Sequence, residues 1–334
     1  MDQINNSYTM PPKPDILEKS DGSARLPAIS VIIPAYNAVD TLGSLLLSLS
    51  RQTLSPDEII LVDDHSSDNT AQLARGFCKV ITTERNSGAA VARNLGIRTA
   101  KGEVLAFIDS DCIAASDWIE KIRKNFIEEK TDLLMGCVKI PPSTYLGDSI
   151  SALGFPGGGA IGFEKIWRVD PEGFTDHLTS CNFAIRKAIF EKYGMFDETF
   201  SVYCEDSELS FRLKKKGVRI RYCPEVVVYH KAQTEMLPFL KRNFKVGRAN
   251  YLFKQKVGPV RSFIRLRIWS TRNILRTYYA DKKFPLIFTL LFLSFVLQQI
   301  GFLTEATSRK IADLRGQVSD LKSAIQNLQS EIKR

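Results

Sequence analysis

The chain has 334 residues, of which 44% are hydrophobic, and it carries a formal net charge of +9. This length exceeds the usual ~100–200 residues of one domain, so we expect one large domain with an appendage. The six cysteines are scattered without a C-x-x-C pair, which suggests neither a zinc site nor a disulfide framework and indicates a reducing compartment. The positive charge fits nucleic acid, an anionic membrane or a phosphorylated substrate, so its position along the chain must decide.

An alternating pattern of strands and helices runs from residue 29 to about residue 139. Residues 1–28 are polar and lack the apolar core of a signal peptide, so they are predicted to be a disordered lead-in. Beyond them we predict strands at 29–34, 58–64, 78–83 and 103–109, and helices at 41–52, 67–76 and 88–100. Continuous apolar strands separated by helices are typical of a mostly parallel sheet covered on both faces. The fold class is therefore α/β and Rossmann-like.

Carboxylates follow the strands of this predicted sheet. Asp109 and Asp111, in AFIDSDC, point to the same face of an extended chain and repel each other unless a divalent cation lies between them. A turn or helix cap is the simpler explanation of a bare D-x-D, but a second acidic strand end at Asp63-Asp64 favours a metal and diphosphate site. Asp64 could accept a hydrogen bond from a nucleobase or ribose, whereas capping is the alternative for this cluster and is expected for Asp68.

Two features follow in the next hundred residues. Residues 141–175 are rich in Gly and Pro and are predicted to form a long mobile loop with one helical turn. The G-x-G-x-x-G match at 157–162 follows a proline and not a strand, which argues against a dinucleotide site. A third acidic cluster, at 205–208, begins a predicted helix that ends at Gly217. The helix dipole alone explains these carboxylates, although a helix start facing a cleft would also hold a general base in place.

Seven motifs resemble the family 2 glycosyltransferases of GT-A fold and occur in that family's order: ISVIIPAYN, EIILVDDHSSDNT, NSGAAVARNLGI, AFIDSDC, CNFAIRKAIFEKYGMFDE, YCEDSELSFRLKKKG and YCPEVVVYH. The resemblance implies an inverting transferase that uses a nucleotide-diphosphate sugar, most commonly a UDP-sugar, with Mg²⁺ or Mn²⁺. It implies nucleotide binding by Pro34, Tyr36, Asp64, Arg93 and Asp109, metal binding by Asp109, Asp111 and His230, and Asp206 as the catalytic base. A buried structural role is the alternative for His230.

The resemblance leaves the acceptor open. Processive synthases of the family carry a Q-x-x-R-W signature, and the nearest stretch here, KRNFKVGRANY at 241–251, lacks the tryptophan. We therefore expect a single transfer to a hydroxyl of a cell-surface glycan or lipid-linked acceptor. The alternatives are a polyprenyl-phosphate glycosyl synthase and a catalytically silent nucleotide-binding scaffold.

The C-terminal third is predicted to associate with a membrane and with a second copy of the chain. The predicted GT-A domain covers residues 29–251 and consists of a nucleotide half at 29–140 and an acceptor half at 141–251. A basic amphipathic region at 252–283 follows this domain. Residues 284–303 are uncharged and long enough to span a bilayer, although a hairpin or a buried oligomer helix is also compatible. Residues 308–334 carry a heptad repeat that favours a parallel homodimer.

The position of the positive charges along the chain indicates which partners are expected. The basic flank precedes the apolar segment, which predicts the cytoplasmic face of a membrane. Nucleic acid is not expected as a partner, because the positive charge concentrates beside this segment instead of among exposed aromatic residues.

Overall fold

The computed structural model describes residues 26–128, 131–156, 169–201, 203–258 and 261–332. The predicted lead-in lies outside this description except for its last three residues, and the G-x-G-x-x-G stretch lies wholly outside it. Within the described residues, the strands form one twisted sheet with helices on both faces, followed by three C-terminal helices.

The first half of the sheet is entirely parallel. Its strands lie in the order β3-β2-β1-β4, and each element predicted from the sequence is present with similar ends. The strands are β1 (Ile29–Ala35), β2 (Glu58–Asp63), β3 (Lys79–Thr82) and β4 (Val104–Ile108), and the helices are α1 (Val39–Ser50), α2 (Thr70–Ala74) and α3 (Ala89–Thr99). Every residue of β1 and β4 is buried, which explains why these strands show no polar alternation.

The second half of the sheet is mixed. It continues from β4 in the order β8-β6-β9-β5, with β8 antiparallel to both β4 and β6, β9 parallel to β6, and β5 and β7 antiparallel to β9. Its elements are β5 (Cys112–Ala114), α4 (Trp118–Glu128), β6 (Leu133–Lys139), α5 (Tyr145–Ser151), β7 (Phe174–Thr175), β8 (Asn182–Arg186), α6 (Lys187–Tyr193), α7 (Glu205–Lys215) and β9 (Ile220–His230). Two of these elements, α5 and β7, lie in the segment at 141–175 that was predicted to be a long loop with one helical turn.

The alternation of β4 directs its C-terminal carboxylate toward one layer of helices. Ala106 and Ile108 pack in the cluster that contains α1 and α4, whereas Leu105 and Phe107 pack in the cluster that contains α3, α6 and α7. Phe107 stacks on Phe183 of β8 with ring centroids 4.3 Å apart. Because strand side chains alternate with a period of two, Asp109 continues the line of Phe107 and faces α3 and α7.

The C-terminal region consists of α8 (Met236–Val257), α9 (Arg261–Tyr278) and α10 (Phe284–Ile332). The segments predicted separately as an apolar helix and a coiled coil form one continuous 49-residue helix, which contradicts the hairpin alternative. By length and composition α10 could cross a membrane, and 28% of its most apolar window is buried inside the protein. Length and composition alone are weak evidence for a membrane span.

The first half of α10 packs closely on α8. A Cβ atom at Gly247 would collide with the Gln298 backbone, and a Cβ atom at Gly301 would collide with the Phe244 carbonyl oxygen. Gln298 donates a buried 2.9 Å hydrogen bond to the side-chain oxygen of Asn243. Small residues permit this close approach of the two backbones, and the buried amide pair fixes their register. Along this stretch α10 is therefore part of the folded body.

Candidate active site

The carboxyl ends of β1, β2 and β4 meet at one edge of the sheet, as expected for parallel neighbours. Pro34 is buried within β1, and Tyr36 follows that strand with 51% of its surface exposed. Among the described residues, three that are not glycine have a positive φ, and all three lie in loops at this edge: Asn37 (48°), His65 (62°) and Cys204 (72°). Such backbone strain accumulates at functional sites, so this edge is where a ligand is expected.

Asp64 joins β2 to the start of α3. Its carboxylate accepts hydrogen bonds from the backbone N–H of Ser87 (2.9 and 3.1 Å), the N–H of Gly88 (2.7 Å) and the hydroxyl of Thr83 (2.9 Å). Asp64 is 3% exposed, so the group predicted to contact the nucleoside is occupied by the chain's own loop. The neighbouring Asp63 has a buried Oδ1 without a hydrogen-bond partner among the described residues.

Arg93 links the D-x-D to α7. One terminal nitrogen lies 2.8 Å from Asp109 Oδ1 and the other lies 2.9 Å from Glu205 Oε1, and the Arg93 side chain is only 3% exposed. Burial by itself would lower the pKa of Arg93, but the charges of Asp109 and Glu205 outweigh it and raise the pKa, so the guanidinium stays ionised. Arg93 therefore positions Asp109 through a buried ion pair.

Glu205 has the opposite balance. Burial, together with the adjacent charge of Asp206, raises the pKa of Glu205 to about 7, and Arg93 only partly offsets this effect. Ionisation of this buried carboxyl group therefore costs free energy, and the positive charge of Arg93 reduces that cost.

Asp109, Asp111 and His230 form a candidate metal centre. One ligand atom from each residue lies within 4.8 Å of the other two. His230 Nε2 is 3.4 Å from Asp111 Oδ1, while Nδ1 lies 3.1 Å from the Lys231 carbonyl oxygen. Burial and the charge of Asp109 raise the pKa of Asp111, and the charge of His230 only partly opposes them. Two carboxylates and an imidazole are ligands that Mn²⁺ and Mg²⁺ sites accept, so these residues fit a divalent cation.

Asp206 lies in the first turn of α7. Its Oδ1 accepts hydrogen bonds from the backbone N–H of Ser207 at 2.7 Å and from the hydroxyl of Ser207 at 3.3 Å. Its charge acts on Glu205, Arg93 and His177, which places it beside the ion pair that holds Asp109. Burial lowers the pKa of His177, and the charge of Asp206 only partly opposes this effect.

Three residues of this site were not identified from the sequence: Glu205, His177 and Arg242. Arg242, on α8, stacks over the rings of Phe155 at 4.8 Å and Tyr203 at 5.6 Å, and its charge reaches Asp111. Its buried Nε has no hydrogen-bond partner among the described residues. The basic stretch at 241–251 was a signal for Arg242, but only the packing of α8 brings it to the carboxylates. No sequence signal distinguishes His177.

Comparisons with known proteins agree with this architecture. The model of Glycosyl transferase family 2 matches residues 30–194, and that of Glycosyl transferase family group 2 matches residues 167–306. Glycosyltransferase AglE of Haloferax volcanii is 27% identical over 68% of this chain and 74% of its own length. Glycosyltransferase GlyG of Streptococcus pneumoniae is 37% identical over 32% of this chain, and the match spans 38% of GlyG.

Two solved structures share the fold. The mannosyltransferase PcManGT from Pyrobaculum calidifontis, in complex with GDP-Man and Mn²⁺, superposes with a TM-score of 0.52 at 19% identity, over 89% of this chain and 81% of its own. GalNAc-T7 with UDP, GalNAc and Mn²⁺ superposes with a TM-score of 0.51 at 22% identity, over 63% of this chain and 44% of its own. Because the two family models together run from residue 30 to residue 306, the chain belongs to glycosyltransferase family 2.

Proposed function

We propose that this chain is a metal-assisted, inverting glycosyltransferase that moves a sugar from a nucleoside-diphosphate sugar to a hydroxyl of a cell-surface glycan or lipid-linked acceptor. A UDP-sugar is the first candidate donor. The observation that carries the proposal is the convergence of Asp109, Asp111 and His230 within 4.8 Å at the ligand-binding edge of the sheet. Asp206 stands in the helical turn that reaches Asp109 through Glu205 and Arg93.

The donor diphosphate is expected to lie between the D-x-D and α8. A divalent cation held by Asp109, Asp111 and His230 would act there as a Lewis acid on the leaving diphosphate. The guanidinium of Arg242, held between two aromatic rings, supplies a further positive charge near Asp111. Mn²⁺ accompanies a nucleotide or nucleotide sugar in both PcManGT and GalNAc-T7, which supports the same arrangement here.

Asp206 is the proposed general base. It removes the proton of the acceptor hydroxyl on the face of the sugar opposite the diphosphate, so that attack in line inverts the anomeric centre. The bonds from Ser207 hold one carboxylate oxygen in a fixed position at the helix N-terminus. A positioned base of this kind contributes about 10²–10⁴-fold to the rate.

The C-terminal helices support association with the cytoplasmic face of a membrane. Phe288, Phe292 and Phe295 of α10 are each more than half exposed, and Lys282 and Lys283 precede them. The opposite side of α10 carries Gln298 and Glu305 into polar contacts with α8, and these contacts would have to enter the bilayer if the helix spanned it. We therefore favour a helix lying in the membrane interface.

The remainder of α10 supports self-association. Ile311, Leu314, Val318 and Ile325 are exposed at heptad spacing on a helix that extends beyond the folded body. Such a stripe is buried by a second copy of itself in a parallel coiled coil.

Nucleotide binding tests the donor half of the proposal. Calorimetric titrations of UDP, GDP and TDP into the full-length protein, each with and without Mn²⁺, should show metal-dependent binding of one nucleotide. Asp111→Ala should abolish that binding, whereas the control Asp117→Ala should preserve it, because Asp117 directly precedes α4 and pairs there with Lys121. If no nucleotide binds under either condition, the transferase proposal and the nucleotide-binding scaffold both fail.

Turnover measurements test the part of the proposal that concerns the acceptor hydroxyl. Asp206→Asn should reduce kcat by about 10²–10⁴-fold with little change in nucleotide affinity, because the base acts only on the acceptor hydroxyl. Unchanged turnover would exclude Asp206 as the base. Transfer to a polyprenyl phosphate, but to no hydroxyl acceptor, would support the polyprenyl-phosphate synthase instead.

A further inference from the structure

Two cysteines and a histidine form a second cluster of ligand atoms next to the D-x-D. Cys112 and Cys181 are each 1% exposed and His230 is 5% exposed. One Sγ or nitrogen atom from each lies within 4.8 Å of the other two. All six cysteines are among the described residues, and none of them forms a disulfide. The cluster is therefore a buried pair of thiols facing one imidazole.

The sheet brings these three residues together from distant parts of the sequence. Cys112 of β5 and His230 of β9 are register partners in an antiparallel pair, which holds their side chains side by side. Cys181 comes directly before β8, and its Sγ lies 3.3 Å from the Thr179 hydroxyl. The chain has no C-x-x-C pair, so this site could not be expected from cysteine spacing.

The geometry suits a tetrahedral ion with sulfur and nitrogen ligands. Bonds of about 2.3 Å to sulfur place tetrahedral ligand atoms about 3.8 Å apart, which the observed limit of 4.8 Å allows with small side-chain shifts. His230 Nδ1 lies 3.1 Å from the Lys231 carbonyl oxygen, so Nδ1 carries the hydrogen and Nε2 can act as the ligand. Thiolates select Zn²⁺ and similar soft ions over Mg²⁺ and Mn²⁺.

We propose that Cys112, Cys181 and His230 form a second metal site, specific for thiophilic divalent ions such as Zn²⁺. An ion enters past Asp111, whose side chain is 43% exposed, and each thiol releases its proton to solvent as its sulfur binds. His230 belongs to both triads, and its Nε2 can ligate one ion at a time. The thiol site therefore excludes the cation at Asp109 and Asp111, a consequence that rests on the proposed function.

Cobalt substitution tests the site without reference to activity. Titration of Co²⁺ into the reduced, metal-free, full-length protein should produce a thiolate-to-cobalt charge-transfer band and intense tetrahedral d–d bands, saturating at about one ion per chain. Cys112→Ser and Cys181→Ser should each weaken or remove the charge-transfer band. Cys137→Ser should retain it, because Cys137 lies outside the triad. Circular dichroism confirms that each variant is folded, and a Co²⁺ complex without thiolate absorption would overturn the proposal.

Competition separates this proposal from the catalytic one. The apparent Kd for Mn²⁺, measured from the electron paramagnetic resonance of free Mn²⁺, should rise more steeply with added Zn²⁺ in the native protein than in Cys181→Ser, where Zn²⁺ can compete only at Asp109, Asp111 and His230. Asp111→Asn should lose Mn²⁺ binding and keep the thiolate–cobalt band. Simultaneous binding of Zn²⁺ and Mn²⁺ would refute the shared histidine. Absence of Mn²⁺ binding with an intact cobalt band would instead refute the proposed catalytic metal.

Discussion

Replacement of Arg93 by Met should strongly destabilise the protein, because the Arg93 side chain is buried and pairs with two carboxylates. The substitution removes two charge-assisted hydrogen bonds, of 2.8 Å to Asp109 and 2.9 Å to Glu205. It leaves two carboxylates without their shared cation, and Glu205 is itself buried. Removing one partner of a buried ion pair costs about 3–5 kcal/mol, so we expect a loss of about 4 kcal/mol in the free energy of unfolding near pH 8.

The same substitution at Arg98 is a matched control. Arg98 lies on the same helix, is 48% exposed in its side chain and reaches Glu198 at only 3.8 Å. Surface pairs of this kind contribute about 0–1 kcal/mol, so Arg98→Met should change the free energy of unfolding by less than about 1 kcal/mol.

The effect of pH on the Arg93 variant supplies a second criterion. The pKa of Glu205 is raised to about 7, so its carboxyl group binds a proton more readily in the folded state than in the unfolded state. Such a group costs stability as pH rises from its unfolded pKa toward its folded pKa, because the buried form must then ionise. Without Arg93 this pKa rises further, and the loss in Arg93→Met should be about 1 kcal/mol smaller near pH 5 than near pH 8.

Denaturant unfolding of the full-length protein, followed by tryptophan fluorescence, to which buried Trp118 contributes, measures both quantities. Equal losses for Arg93→Met and Arg98→Met would refute the ion-pair argument. A loss that grows on acidification would refute the assigned direction of the Glu205 pKa.

Four further substitutions test other parts of the structure. Gly301→Ala should destabilise the packing of α10 on α8, because its Cβ atom would collide with the Phe244 carbonyl oxygen, and we expect faster proteolysis of α10. Gly316→Ala is the matched change at a glycine with open space around it, and it should stabilise the helix by about 1 kcal/mol. Arg242→Gln should weaken nucleoside-diphosphate binding by about 1.5–3 kcal/mol in calorimetry, and an unchanged Kd would remove it from the site. Asp64→Asn should cost about 1–3 kcal/mol of unfolding free energy, because an amide cannot accept every bond that the carboxylate accepts; full stability would contradict this role.

The periodicity of apolar residues was sufficient to predict the first half of the sheet but not the second half. The strands β1, β2 and β4 contain continuous apolar runs bounded by polar turns, and their carboxyl ends coincide with the predicted ligand edge. In the second half the strands pair in both directions, and β5 and β7 have only three and two residues. Such short strands have no period of their own, because their pairing with β9 defines them.

The candidate site divides in the same way. Local sequence determined which residues carry chemistry: the carboxylates Asp109 and Asp111 follow a core strand, and Asp206 begins a helix. Tertiary structure alone decided which groups they meet, since Arg93 reaches Glu205 across 112 positions of sequence. The spacing of residues in the sequence shows which side chains are neighbours along one strand or helix, whereas contacts between elements depend on the order of the strands in the whole sheet. For that reason the identity of the proposed reacting groups could be predicted from the sequence, whereas their electrostatic environment could not.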